Sequence, residues 1–220
     1  AQKRKPTRDD RDVFVIGVDQ GRTGDSSVIS RRKGMTIEDF EIIPPDDGTE
    51  RDMRLAGRIA QIIDRENPDM VVIDTTSEHG ALDRLHELGY SKRLVKGIHF
   101  GEKAIDFTRY RNKRVEMFFN LKEWFEDDRA CIPQNQRFLT EIGAIPVEKY
   151  SSSEVASLVS KDDIRVQLNF STDLLDAAVL TFAFPVKKKN IDKNENSGSI
   201  NSQSREVKYV STLRSTRRPR

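Results

Sequence analysis

The sequence predicts an α/β domain with a central mixed β-sheet flanked by helices, in which the first three strands are antiparallel. Two nearly continuous apolar runs, residues 13–19 and Met70–Asp74, have the character of buried central strands. Between them lies an amphipathic segment, residues 50–66, that predicts a helix. A helix in that position implies a right-handed crossover, which makes the two strands parallel neighbours at the centre of the sheet.

The second and third strands are predicted as a hairpin. Residues 26–32 and 36–43 flank Lys33 and Gly34, a pair that is typical of a tight turn. The amphipathic helix that follows is expected to end at Asn67-Pro68, because the residue before a proline disfavours helical backbone.

The rest of the chain alternates between helical and extended patterns. The predicted elements are a short helix at 82–88, a strand at 95–100, a helix at 110–125, a short helical piece beginning at 138–142, a strand at 164–170 and an apolar helix at 173–184.

Charge divides the chain into three parts. Residues 1–11 carry a net charge of +3 and residues 187–220 carry +7, which leaves about −8 on residues 12–186. We expect a basic N-terminal arm or linker, a folded domain over 12–186, and a basic tail over 187–220 that is disordered because it lacks apolar periodicity. Such a tail can attract nucleic acid or an acidic partner protein.

Cysteine usage and hydropathy indicate the compartment. The single cysteine, Cys131, excludes a disulfide framework and a cysteine zinc site. No signal peptide is visible at the charged start, and the apolar stretch over 174–186 is too short to cross a bilayer. These features predict a cytoplasmic protein with no membrane partner.

Aspartates stand where the central strands end. Asp19 closes the first strand and Asp74 closes the fourth. The carboxyl ends of adjacent parallel strands share one edge of a sheet, where ligands bind in open α/β folds. Asp173 occupies the first turn of the last helix, and Asp176 follows one turn later among apolar residues. An ionised aspartate buried there requires a cation or strong hydrogen bonds.

Carboxylates gathered at one edge favour binding of Mg²⁺ or Mn²⁺. Each aspartate also has a structural explanation. Asp19 precedes a glycine turn, Asp74 can terminate a strand, and Asp173 is favoured by the helix dipole. Their joint convergence on one edge is therefore the observation that favours a metal site.

Four blocks of the sequence resemble the nuclease domain of the large terminase subunit of tailed phages. They are 17–28 (GVDQGRTGDSSV), 71–74 (VVID) with Gly80, Leu82, Asp83 and Leu85 after it, 110–117 (YRNKRVEM), and 171–177 (STDLLDA) running on to 182–185 (FAFP). The resemblance covers residues 13–185, with the blocks in the family's order. Thr172 replaces the usual proline, and residues 77–80 replace a more glycine-rich turn.

The resemblance implies an RNase H-like fold and an endonuclease that cuts concatemeric double-stranded DNA during genome packaging in the host cytoplasm. It assigns catalysis and two divalent cations, Mg²⁺ or Mn²⁺, to Asp19, Asp74 and Asp173, and allows Asp176 as a fourth ligand. It implies double-stranded DNA, the terminase ATPase domain, the portal ring and the small terminase subunit as partners. The phosphate-binding loop Gly-x-x-x-x-Gly-Lys-Ser/Thr of that ATPase is missing from this sequence, so we expect no ATP hydrolysis.

The residues that contact DNA are harder to predict than the acidic residues of the site. The candidates for phosphate contacts are Arg22, Lys33, Lys103, Arg109, Arg111 and Lys113, although each also suits an ordinary solvated charge. Three other readings stay open at this point. One is another RNase H-like nuclease of the Holliday-junction resolvase or transposase type. The second is an actin-like ATPase, since residues 19–24 (DQGRTG) also resemble its phosphate loop. The third is a non-enzymatic module that binds DNA or the portal.

Overall fold

A computed structural model describes residues 1–6, 9–22, 24–45, 50–144, 149–150, 155–158 and 171–189 of the chain. The described residues up to Lys188 belong to one compact unit. The strand predicted at 164–170 and the tail beyond Lys189 lie outside the described residues, so those two expectations stay predictions.

A mixed six-stranded sheet forms the centre of the molecule. Its strands are β1 (Phe14–Asp19), β2 (Ser27–Lys33), β3 (Thr36–Ile37), β4 (Glu41–Ile43), β5 (Met70–Asp74) and β6 (Val95–Ile98). The order across the sheet is β3-β2-β1-β5-β6, with β4 paired to β2. β1 is antiparallel to β2 and parallel to β5, and β5 is parallel to β6. The predicted mixed sheet and the parallel central pair are therefore confirmed.

The third predicted strand is divided in the structure. Gly34 makes the turn after β2 with a φ of 53°, a left-handed conformation that favours glycine. Where one strand over 36–43 was predicted, β3 pairs with the end of β2 and β4 pairs with its beginning. Both short strands pair antiparallel with β2, as predicted. The prediction of one continuous strand over 36–43 is wrong.

Helices cover both faces of the sheet. They are α1 (Arg51–Glu66), α2 (Gly80–Glu87), α3 (Lys113–Glu126), α4 (Gln136–Gly143) and α5 (Asp173–Leu180). A separate two-stranded piece consists of β7 (Lys149–Tyr150) and β8 (Ala156–Ser157), which were not predicted. Within the described ranges, no helix has both the length and the apolar character needed to cross a bilayer.

Alternate residues of the central strands supply two separate cores. Ile16 and Val18 of β1 pack with α1 and α2, whereas Val15 packs on the other face with α3 and α5. Strand β5 alternates in the same way, with Val72 on the α5 face. The sheet is therefore buried on both sides, which explains why its central strands read as continuous apolar runs.

Two helix ends differ from the sequence prediction by three residues or more. Helix α3 begins at Lys113 rather than at 110, because the side chain of Asn112 caps it by accepting a hydrogen bond from the Val115 amide at 3.0 Å. Helix α5 ends at Leu180 rather than at 184. Beyond it the amides of Phe182 and Ala183 donate to the carbonyls three residues earlier, a tighter turn that ends the α-helix before Pro185.

Candidate active site

The alternation of the central strands directs two aspartates to one face. Strands β1 and β5 pair up to Val18 opposite Ile73, and the next residue on each strand is Asp19 or Asp74. Both aspartates continue the alternate positions that face α3 and α5. The two carboxylates therefore share the same edge and the same face of the sheet.

A close crossing of α5 over β1 brings the third aspartate to that edge. A methyl group added at Gly17 would lie 2.1 Å from the carbonyl oxygen of Ala177 and 3.0 Å from Cβ of Leu180. Since Gly17 lacks a side chain, the helix backbone packs directly against the strand. The N-terminus of α5, which carries Asp173, consequently reaches the end of β1.

Asp19, Asp74 and Asp173 line one cleft of about 160 Å³. Asp19 itself is buried. The other residues of the cleft wall are Gln20, Gly21, Arg22, Asp25, Ser26, Thr76, Ser77, Phe100, Ser171 and Thr172. The three predicted acids thus meet in space although they are far apart along the chain. Carboxylate oxygens are hard donors, and this set suits Mg²⁺ or Mn²⁺ in its chemistry.

The carboxylates at this edge are engaged in local hydrogen bonds. Oδ1 of Asp74 accepts from the amide of Thr76 at 2.8 Å and from its hydroxyl at 2.6 Å. Oδ2 of Asp173 accepts from the Ser171 hydroxyl at 2.6 Å and from Arg137 at 3.1 Å. Among the described residues, no three acidic, histidine or cysteine side chains are close enough together to hold one metal ion. Ligation of one shared cation therefore requires these carboxylates to approach one another more closely.

Asp176 has a different environment from the other three aspartates. It is completely buried, and its Oδ2 accepts a hydrogen bond from the Thr172 hydroxyl at 3.1 Å. Burial lowers the pKa of Arg114, and the nearby Asp176 carboxylate opposes that shift. Asp176 does not belong to the cleft wall. Arg114 thus places a positive charge near the buried Asp176, and the role of Asp176 as a metal ligand stays a prediction.

Three residues near this site were not identified as functional from the sequence. Asp25 lines the cleft beside Asp19, and its position in the glycine-rich turn after β1 was an available signal. Arg137 and Glu141 of α4 contact the beginning of α5. No sequence signal marked these two, because α4 is distant from α5 along the chain and reaches it only through packing.

The basic residues predicted to contact DNA lie in different places. Arg22 lines the cleft and donates to the Ser77 hydroxyl at 2.8 Å. Lys33 pairs with Phe14, at the opposite end of β1 from Asp19. Lys113 is buried and bonded to Glu116 at 2.6 Å, which removes it from the candidates for a phosphate contact.

The other three candidates lie on the segment before α3. The ammonium of Lys103 lies over the ring of Phe107 at 3.6 Å, and Arg109 pairs with Glu123 at 3.4 Å. Arg111 is exposed. Their exposure leaves them available to a nucleic acid, and their role stays a prediction.

Solved structures similar to this chain include phage proteins. The nuclease domain of the large terminase subunit gp2 of bacterial virus Sf6 aligns with a TM-score of 0.63 at 16% identity, over 79% of this chain and 89% of that domain. The large terminase nuclease from thermophilic phage G20c aligns with a TM-score of 0.52 at 17% identity, over 78% of this chain and 82% of that one.

The comparisons of sequence found no match, whereas the comparison of structures did. No protein-family model and no curated protein matches the chain. Identities of 14–17% are low, and at that level the shared feature is the arrangement of strands and helices. The chain has the fold of the nuclease domain of phage large terminase subunits.

Proposed function

We propose that this chain is a metal-dependent endonuclease that cuts concatemeric double-stranded DNA during phage genome packaging. The observation that carries the proposal is the cleft in which Asp19, Asp74 and Asp173 meet, each from a different element. Two solved structures of similar fold are nuclease domains of large terminase subunits. We assign catalysis to these three aspartates.

Divalent cations are the proposed cofactors. A variant of the Sf6 domain has been solved with manganese, and the G20c nuclease has been solved with bound magnesium. The carboxylates of this cleft offer the hard oxygen donors that those ions prefer. Two bound ions would activate water and stabilise the leaving oxygen of a phosphodiester. We propose Asp19, Asp74 and Asp173 as their ligands in this chain.

Neighbouring residues complete the proposed site. Ser171 and Arg137 orient the Asp173 carboxylate, and Thr76 orients that of Asp74. We assign Arg22 to a phosphate of the bound strand, because its guanidinium lies in the same cleft as the acids. The terminase ATPase domain, the portal ring and the small terminase subunit are the proposed partners of the assembly.

Cleavage of supercoiled plasmid with Mn²⁺ tests the proposal. Asp19→Asn and Asp74→Asn are each expected to reduce cleavage by more than about 100-fold, because even residues that only support a metal ligand cost about 10–100-fold when replaced. Chelation with EDTA is expected to stop the reaction. Asp128→Asn is the matched control, since that side chain is fully exposed, and it should cut like the unmodified chain. Full activity in Asp19→Asn or Asp74→Asn excludes the assigned role.

The preferred substrate is tested by including two further DNA substrates in the same assay. Linear duplex and a four-way junction are offered at equal concentration under identical metal conditions. A packaging nuclease is expected to cut the duplex, whereas preference for the junction would favour a resolvase. Binding of DNA with no cutting in Mn²⁺ or Mg²⁺ would support a non-enzymatic module instead.

A further inference from the structure

Arg137 connects α4 with one of the cleft carboxylates. It lies in the first turn of α4, and its Nη2 donates to Oδ2 of Asp173 at 3.1 Å. The same nitrogen is 3.5 Å from the carbonyl oxygen of Ser171. Arg137 does not belong to the cleft wall. Its guanidinium therefore contacts Asp173 although Arg137 is not one of the residues that line the cleft.

Glu141 holds this arginine in place. It lies one turn after Arg137 on α4, is completely buried, and accepts from Nε of Arg137 at 2.8 Å. Its second oxygen accepts from the amide of Leu175 at 2.8 Å, in the first turn of α5. Both oxygens of Glu141 are thus used, one for the arginine and one for the helix that carries Asp173. Charge-assisted bonds of this kind are stronger and more directional than neutral ones.

The bonds to Asp173 are confined to one of its two oxygens. Oδ2 accepts from Ser171 at 2.6 Å as well as from Arg137. Within the described ranges no hydrogen-bond donor contacts Oδ1. The arrangement restricts rotation of the carboxylate while keeping one oxygen available to a ligand in the cleft.

We propose that Arg137, supported by Glu141, is the positioning residue for Asp173 and presents its Oδ1 to the cation. This inference rests on the proposed function, because it assumes that the cleft binds a divalent metal. An arginine beside a carboxylate can also compete with a metal ion for it. The geometry favours positioning over competition, since the arginine occupies only one oxygen and does not line the cleft.

Calorimetric titration of the whole chain with Mn²⁺ tests this inference without measuring activity. Arg137→Ala is expected to weaken Mn²⁺ binding by roughly 10-fold, the lower range for residues that orient a metal ligand. Arg129→Ala is the matched control, because Arg129 also pairs with a carboxylate, that of Asp127 at 2.7 Å, and does not line the cleft. Its Mn²⁺ affinity should equal that of the unmodified chain.

A second variant separates positioning from loss of folding. Arg137→Ala removes the arginine beside the buried Glu141, which destabilises the fold wherever the Glu141 carboxyl is ionised. In the double variant Arg137→Ala/Glu141→Gln no such charge is left, and the amide oxygen still accepts from Leu175. This double variant should unfold at a temperature close to that of the unmodified chain and still bind Mn²⁺ roughly 10-fold more weakly.

The outcomes distinguish the two proposals. If the unmodified chain binds Mn²⁺ and cuts plasmid while the double variant binds Mn²⁺ equally well, positioning by Arg137 is excluded and the nuclease proposal stands. Tighter Mn²⁺ binding in the double variant would overturn positioning in favour of competition. If the unmodified chain neither binds Mn²⁺ nor cuts DNA, the proposed function fails and the inference fails with it.

Discussion

Glu141 illustrates how the surroundings of one carboxyl group alter its proton affinity. The side chain is completely buried between α4 and α5, with hydrogen bonds to Arg137 and to the amide of Leu175. Burial raises the pKa of Glu141 from its ordinary value of 4.5 to about 7, although both hydrogen bonds oppose that shift. Between about pH 4.5 and pH 7, the folded chain therefore retains a proton on Glu141 that the unfolded chain has already released.

That proton makes stability depend on pH. The stability that it contributes is complete below about pH 4.5 and is lost as the pH rises to about 7. A shift of this size corresponds to a loss of up to about 3 kcal/mol. Glu141→Gln keeps an acceptor for Leu175 but does not titrate. We expect the free energy of unfolding of the unmodified chain, relative to this variant, to fall between pH 5 and 7.

Chemical unfolding of both proteins at several pH values measures that difference. Other titrating groups are common to the two chains and cancel in the comparison. A constant offset from pH 5 to pH 8 would show that Glu141 does not retain its proton in the folded state.

Among the described helices, α5 packs closely on the central strands. It crosses β1 at Gly17, where a side chain would meet the carbonyl of Ala177. The same helix carries Asp173 at its N-terminus. Any displacement of α5 from β1 therefore changes both the packing of the core and the position of a cleft carboxylate.

Gly17→Ala tests this coupling. The added methyl group forces α5 away from the strand, and overpacking of this kind costs about 1–3 kcal/mol. We expect a lower free energy of unfolding together with weaker Mn²⁺ binding. The control is Gly57→Ala in α1, where an added methyl group meets nothing within 4 Å. Alanine is favoured over glycine in a helix by roughly 0.5–1 kcal/mol, so the control should be stabilised. Unchanged stability of Gly17→Ala in urea would contradict the close packing.

Helix α3 shows how a family motif can have a structural role. Asn112 caps the helix, and Glu116 accepts from Lys113 and from the amides of Ile105 and Asp106. Arg114 lies near Asp176 of α5. The polar residues of 112–116 thus tie the preceding segment and α5 to α3, rather than presenting charge to a nucleic acid.

For the molecule as a whole, metal binding and folding should be linked. A ligand that binds only the folded chain stabilises it by about 3 kcal/mol when its concentration is about 100 times Kd. For a domain of this size that corresponds to roughly 5–10 °C in Tm. We expect Mn²⁺ to raise the Tm of the unmodified chain by an increment that grows with Mn²⁺ concentration.

The same thermal measurement on Asp19→Asn and Asp74→Asn provides the comparison. Loss of a ligand should remove most of the increase while leaving the Tm without metal nearly unchanged. No increase in the unmodified chain at millimolar Mn²⁺, or an equal increase in both variants, would contradict a metal site built on these aspartates.

The local sequence pattern alone was sufficient to predict the central strands, which are buried on both faces. The ends of β1 and β5 were predicted at Asp19 and Asp74, because a buried strand needs an unbroken apolar run and stops where a charge appears. The parallel pairing followed from the helix between them. The same reasoning predicted that α5 continues to residue 184, because the sequence stays apolar up to that point. In the structure the helix ends at Leu180 and the backbone turns.

The sequence by itself determined which carboxylates end the central strands and which helix begins with Asp173. Only the tertiary structure decided that Lys113 is buried, that Arg114 lies near Asp176, and that Arg137 and Glu141 hold the beginning of α5. The physical reason is the range of each interaction. Apolar periodicity acts between near neighbours along the chain, whereas charge compensation depends on groups that meet only when distant segments pack together.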